Sequence, residues 1–160
     1  MTSGQSPRRR WLAFALVPFA AGMLLLWPRE GDAQSASHAR QHRALFPVCA
    51  GPSRVTCVVD GDTIWLKGTK IRIADIDTPE VSRPGCPREA ALGRRATERL
   101  RQLLNAGPFT LLPPPDGRME DRYGRALRVV HRDGESLGRV LVREGLAAPW
   151  GGPRPRWCGA

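Results

Sequence analysis

Three short segments, Asp60-Gly61-Asp62-Thr63, Arg72 with Asp77-Thr78-Pro79-Glu80, and Asp121-Arg122-Tyr123-Gly124-Arg125, supply oxygen ligands, a spare carboxylate and two arginines. Carboxylates hold hard divalent cations through oxygen, and planar guanidinium groups clamp phosphate oxygens and offset charge that builds during displacement. Together these are the parts of a metal-assisted cut of a phosphodiester. Each has a plainer reading alone. Asp-Gly-Asp-Thr also reads as a turn whose acids bond nearby amides, Glu80 as an exposed loop acid, and Arg72 as a solvated strand arginine. Asp60 either orients the site or shapes the turn, and Asp75 is expected to face solvent or a local cation, outside the site. Asp62 and Asp77 are far apart in sequence, so their meeting depends on the fold.

The order of these motifs resembles the staphylococcal nuclease (thermonuclease) family over roughly Val55 to Ala147. That resemblance implies an α+β fold, a five-stranded OB-fold β-barrel with two packed helices. It also implies calcium-dependent (Ca2+) hydrolysis of DNA and/or RNA to 3'-phosphate products. Residue by residue, it implies Asp62 and Asp77 as calcium ligands and the Thr78 main-chain carbonyl as a third. Glu80 becomes the general base, Arg72 and Arg125 the phosphate clamps, and Tyr123 a neighbour of the terminal nucleotide. The chain departs from the family after the second helix, where base-holding tyrosines give way to Pro149-Trp150-Gly151-Gly152 and the C-terminal third helix is lacking. Trp150 is the candidate substitute as a stacking platform; Trp157, beside Cys158, reads as a structural plug.

The elements that must position these groups follow from periodicity. Val55–Val59, Thr63–Leu66 and Ile71–Ile76 are β-branched or apolar runs separated by Asp60-Gly61 and Lys67-Gly68-Thr69-Lys70, and read as successive antiparallel strands. Asp62 then falls at a strand junction and Asp77 at the far end of the third strand, where Pro79 stops pairing and directs Glu80. From Glu89 to Asn105 small and apolar residues recur at helical spacing among arginines, ended by Gly107-Pro108. Phe109–Leu112 and Ala126–His131 read as further strands, and Ser136 caps a second helix to about Glu144, ended by Gly145.

The N-terminus carries Arg8-Arg9-Arg10, then seventeen uncharged residues from Trp11 to Trp27, then the small and polar Gly31–Ser37. Residues 1–35 therefore read as a signal peptide or an N-terminal membrane anchor, residues 36–48 as a linker and residues 49–160 as the catalytic domain. The expected location is secreted or periplasmic, with an anchored form outside the cytoplasm if the segment is retained. The formal charge of +10 falls only to +8 once residues 1–35, with four arginines, Glu30 and Asp32, are removed. Such a field attracts nucleic acid, although two lysines among so many arginines also fit a base-composition bias. About 125 residues form one domain, and nothing in them calls for more than a monomer.

Cys49, Cys57, Cys86 and Cys158 all lie beyond the signal, an even count that suggests two disulfides in an exported domain. No Cys-x-x-Cys pair or histidine cluster supports zinc. Three connectivities are open; Cys49–Cys57 with Cys86–Cys158 is favoured because the second bond would tie the tail to the barrel. Two function classes compete: a calcium nuclease, and a non-catalytic OB-fold module that holds nucleic acid. The acids favour the first, since a simple polyanion binder has no use for carboxylates facing phosphate.

Overall fold

The computed structural model describes Met1, residues 40–153 and residues 155–159. The expected signal or anchor, 1–35, lies outside the described residues except for Met1. No helix among the described residues is long and apolar enough to cross a membrane.

The order of elements is β1 (Gln41–His42), β2 (Cys57–Val58), β3 (Thr63–Leu66), β4 (Thr69–Ile73), β5 (Ile76–Asp77), α1 (Pro87–Asn105), β6 (Phe109–Leu112), β7 (Ala126–Arg132), β8 (Glu135–Ser136), α2 (Leu137–Arg143) and β9 (Ala148–Pro149). The architecture is the expected α+β one: an OB-type mixed sheet with two helices. The strand inventory is larger than five and the sheet is not closed. Its path runs β1-β6-β7-β4-β3-β2, with β8 added on β7, while β5 and β9 form a separate pair. The β4–β7 pair is parallel, with Arg72 opposite Leu127, and the remaining ladders are antiparallel.

The chain ahead of β2 is fold rather than linker from Gln41 onward. Gln41 and His42 pair with Thr110 and Phe109, Phe46 is fully buried, and Val48 bridges Val58 on the opposite edge of the sheet. Asn105, at the end of α1, fastens this crossing by donating to Phe46 O at 3.0 Å and accepting from Phe46 N at 2.8 Å.

The expected third strand, Ile71–Ile76, breaks at Ala74-Asp75 into β4 and β5. Two tight hairpin turns are set by left-handed pairs, Lys67-Gly68 and Asp133-Gly134, whose twist matches that of the flanking strands. Helix α1 starts two residues earlier than expected, with Cys86 as N-cap accepting from Glu89 N and Pro87 following it; proline suits this position because its missing N–H has no helical partner there. Gly93, Ala96, Thr97, Leu100 and Leu104 are its buried stripe. Of these, Ala96, Leu100 and Leu104 pack with Ile64, Ile73, Ile76, Val130 and Leu141 into one core. Helix α2 is capped by Ser136, whose hydroxyl accepts from Arg139 N at 3.2 Å. Among residues 144–153 and 155–159 there is no further helix.

All four cysteines are paired, Cys49 with Cys57 and Cys86 with Cys158. The second bond fastens the C-terminal tail to the start of α1.

Candidate active site

The site is built around Arg72. It stands on β4 opposite Thr63, and its side chain is 10% exposed. Its Nη1 donates to Ile73 O at 2.7 Å and Ile76 O at 2.9 Å, and lies 3.1 Å from Asp62 Oδ2. Its Nη2 donates to Asp77 Oδ1 at 3.1 Å. The guanidinium therefore fills the break between β4 and β5, satisfying carbonyls that the interrupted ladder leaves free. It also holds the two aspartates that sequence alone left apart. Nε–H and one Nη2 hydrogen are left without a protein acceptor among the described residues.

Asp62 is fixed by the turn before β3. Asp60 Oδ1 accepts from Asp62 N at 3.2 Å, and Gly61 fits because a Cβ there would stand 2.7 Å from Ala96 Cβ and 2.9 Å from Thr78 Cγ2. Asp62 Oδ2 accepts from Thr78 N at 3.1 Å and Thr78 Oγ1 at 2.8 Å, while Oδ1 accepts from Thr63 Oγ1 at 3.0 Å. Thr78, expected through its carbonyl, thus meets Asp62 through its amide and hydroxyl. Asp77 is the more open acid, with a side chain 45% exposed.

Glu80 is exposed on the loop after β5, and its amide donates to Glu89 Oε1 of α1 at 3.4 Å. The acids press on one another electrically. Burial and the neighbouring Asp62 charge push the Asp60 carboxyl up to about 6. Asp77 is raised by burial and by Asp62 against the opposing pull of Arg72. Glu80, although exposed, is raised by partial desolvation of its carboxyl and by the charges of Asp62, Asp77 and Glu89, again opposed by Arg72. A site with more carboxylates than arginine charge can be relieved by a cation.

Arg125 precedes β7, next to β4. Asp121 folds the loop under it, accepting from Tyr123 N at 2.9 Å, Arg125 N at 3.0 Å and Arg125 Nε at 2.6 Å. These bonds outweigh desolvation and hold the Asp121 carboxyl below the usual aspartate range. They also leave both Nη groups of Arg125 without an acceptor among the described residues. Arg72 and Arg125 line one small cavity with Arg118, Asp121, Leu127 and Trp150. Trp150 stands over Arg72, 5.5 Å from guanidinium to ring centroid. Tyr123 is 68% exposed, its hydroxyl accepting from Arg122 and its ring facing both Arg122 and Arg125.

The structure thus joins Asp62, Arg72, Asp77 and Thr78 by direct bonds and puts Arg125 across a shared cavity from Arg72. Sequence reasoning missed Asp121 as the group that orients Arg125, Arg118 as a cavity wall, and the seat of Trp150 over Arg72. An Asp opening a turn that contains Gly124 was the available signal for the first, since such an acid bonds the amide two residues on. Asp75, expected in solvent or in a salt bridge, accepts instead from Ser136 Oγ at 2.5 Å beside α2.

Among the described residues no three His, Cys, Asp or Glu side chains gather into a cage. The expected set, two aspartates and a main-chain carbonyl, is smaller than that. It is all oxygen, as calcium or magnesium requires, and it sits in surplus negative charge, so the residues fit a hard divalent cation completed by water.

A family model described as staphylococcal nuclease homologue matches residues 70–151, a span that holds Arg72, Asp77, Glu80, Tyr123, Arg125 and Trp150. The chain is 37% identical over 93 residues to endonuclease YncB of Bacillus subtilis (strain 168), covering 56% of this chain and 43% of that protein. It is 38% identical over 93 residues to the SPbeta prophage-derived endonuclease YokF of the same organism, covering 56% and 31%. Against the thermonuclease of Staphylococcus hyicus it is 34% identical over 98 residues, covering 59% and 56%. The match thus spans between about a third and somewhat over half of each of these relatives. With more than half of its length inside the family model, and Arg72, Asp77 and Thr78 among the matched residues, this chain belongs to the staphylococcal nuclease homologue family.

Proposed function

We propose that this protein is a calcium-dependent nuclease that hydrolyses DNA and/or RNA to 3'-phosphate products. The observation that carries the reading is the double role of Arg72. It binds both Asp62 and Asp77 and also lines the cavity it shares with Arg125. Carboxylates for a cation and arginines for a phosphate therefore meet at one guanidinium, an arrangement a simple polyanion-binding barrel does not need.

Asp62, Asp77 and the Thr78 carbonyl would hold the ion. What a divalent cation supplies there is polarisation of a phosphoryl oxygen and relief of the surplus negative charge. Glu80 takes the proton of the attacking water, a task suited by the raised proton affinity that partial desolvation and its acidic neighbours give it. Arg125 offers its two free Nη groups, and Arg72 its Nε–H, to oxygens that gain charge as phosphorus becomes five-coordinate. Trp150 lines this cavity and Tyr123 stands beside Arg125, and both offer aromatic surface to a base or ribose.

The relatives' printed names, endonuclease and thermonuclease, support the activity. Export, or display outside the cytoplasm on an N-terminal anchor, is supported by the apolar Trp11–Trp27 run and by two disulfides, which persist in oxidising compartments. The protein acts as a monomer in this reading.

The test is hydrolysis of single-stranded DNA by the oxidised protein with calcium and with excess chelator, alongside Glu80→Gln. Calcium-dependent cutting, lowered about 10²- to 10⁴-fold by the substitution, is the expected result. Tight binding without cutting in any divalent metal would make this the non-catalytic OB-fold module instead.

A further inference from the structure

Glu89 has no place in the reaction just described, yet it spends both carboxylate oxygens on the loop that carries the proposed base. Its Oε1 accepts from Glu80 N at 3.4 Å, and its Oε2 accepts from Gly85 N at 2.6 Å. One side chain in the first turn of α1 thus ties the first residue of the loop 80–85 to the last. The bond to Gly85 is short and charge-assisted, the stronger kind. Two more features close on the same segment. Gly93, one helical turn along the same face, lets the helix approach the carbonyls of Pro79 and Glu80 closely. The Cys86–Cys158 bond follows immediately, and Cys158 Sγ stands 3.5 Å from where a Cβ on Gly85 would be.

An acid in the first turn suits the helix N-terminus, but this one also adds charge near Glu80 and raises its carboxyl. Burial does not require it, since the position is only half-buried. The geometry points to Glu89 as a positioning residue, whose two backbone bonds fix the direction of the Glu80 carboxylate toward the cation site. This rests on Glu80 acting as the base. Glutamine at position 89 offers one carbonyl acceptor for two amides, so one end of the loop is released. Aspartate keeps the charge but is one methylene too short to span both amides.

Two measurements test this on the full-length, oxidised protein. The first is steady-state hydrolysis of single-stranded DNA by wild type, Glu89→Gln, Glu89→Asp, Glu80→Gln and the Glu80→Gln/Glu89→Gln double variant. Both Glu89 variants should lose about tenfold or more in kcat, with KM within twofold. The double variant should be no slower than Glu80→Gln alone, because nothing is left to position. Wild-type kcat in either Glu89 variant, or losses that multiply in the double variant, would overturn the assignment. The second is amide hydrogen exchange, which needs no activity. At least one of Glu80 N–H and Gly85 N–H should lose protection in Glu89→Gln while α1 and the sheet keep theirs. Unchanged protection at both amides overturns the proposal even in a protein that cuts, and a wild type that never cuts overturns the nuclease reading while leaving this arm to be read.

Discussion

Gly93 of α1 lies against the main chain of Glu80: a Cβ built on it would stand 3.0 Å from Glu80 O and 2.6 Å from Pro79 O. Both neighbours are backbone and cannot swing aside. Gly93→Ala must therefore part the helix from the Glu80 loop. Alanine is the better helix former by about 1 kcal/mol, but the overlap outweighs that gain, and Tm should fall by several degrees with about tenfold or more lost from kcat. Thermal unfolding and single-stranded DNA hydrolysis read the two effects, and a variant with raised Tm and full activity would show that the loop yields freely.

Arg125 depends on Asp121 for its direction. Arg125→Ala should lower kcat/KM about 10²-fold or more, since it removes a phosphate donor outright. Asp121→Ala should cost less, about tenfold, because the guanidinium remains but loses the carboxylate on Nε. Steady-state hydrolysis orders the two, and equal losses would mean that the loop, not the arginine, is what Asp121 supports.

Asp60 gives the metal-free protein a pH dependence of definite sign. Its folded-state carboxyl is raised from 3.8 to about 6, so the proton is bound more tightly in the folded state. Stability from this group is present at low pH and is lost as pH rises through that window, on the order of 3 kcal/mol in all. In chelator, Asp60→Asn should flatten the fall between pH 4 and 6.5. Urea midpoints across that range check it, and parallel curves for wild type and variant would exclude Asp60 as the source.

The two disulfides close loops of very different length, with sequence separations of 8 for Cys49–Cys57 and 72 for Cys86–Cys158. Chain entropy alone makes the longer one worth about 4.5 kcal/mol and the shorter about 2.5. Replacing Cys86 and Cys158 by serine should therefore lower the unfolding free energy about 2 kcal/mol more than replacing Cys49 and Cys57. Guanidinium melts of the two double variants compare them directly.

What was legible in the sequence is what local pattern dictates. Thr63–Leu66 and Phe109–Leu112 announce themselves by β-branched or apolar runs, α1 by its apolar spacing, and α2 by the serine ahead of it. The motif residues were legible as types. Their wiring was not, because it depends on encounters between distant segments. Arg72 could be placed on a strand, but not seen to break that strand by taking the Ile73 and Ile76 carbonyls. Gln41-His42 and Ala148-Pro149 are too short to carry a period, so β1 and β9 exist only because Thr110 and Asp77 lie opposite them. Phe46 looked like linker since nothing near it in sequence forms its pocket.

The crossing from β1 to Val48 has a consequence for behaviour at high concentration. An unclosed sheet offers two borders whose unused N–H and C=O groups invite neighbouring molecules to add strands. Here one short stretch of chain occupies part of both borders, at Gln41-His42 beside β6 and at Val48 beside β2. The outer border at the β1 end is thereby only two residues long, a poor template for strand addition; loosening the Asn105 latch is expected to uncover the longer edge of β6 and raise the tendency to self-associate.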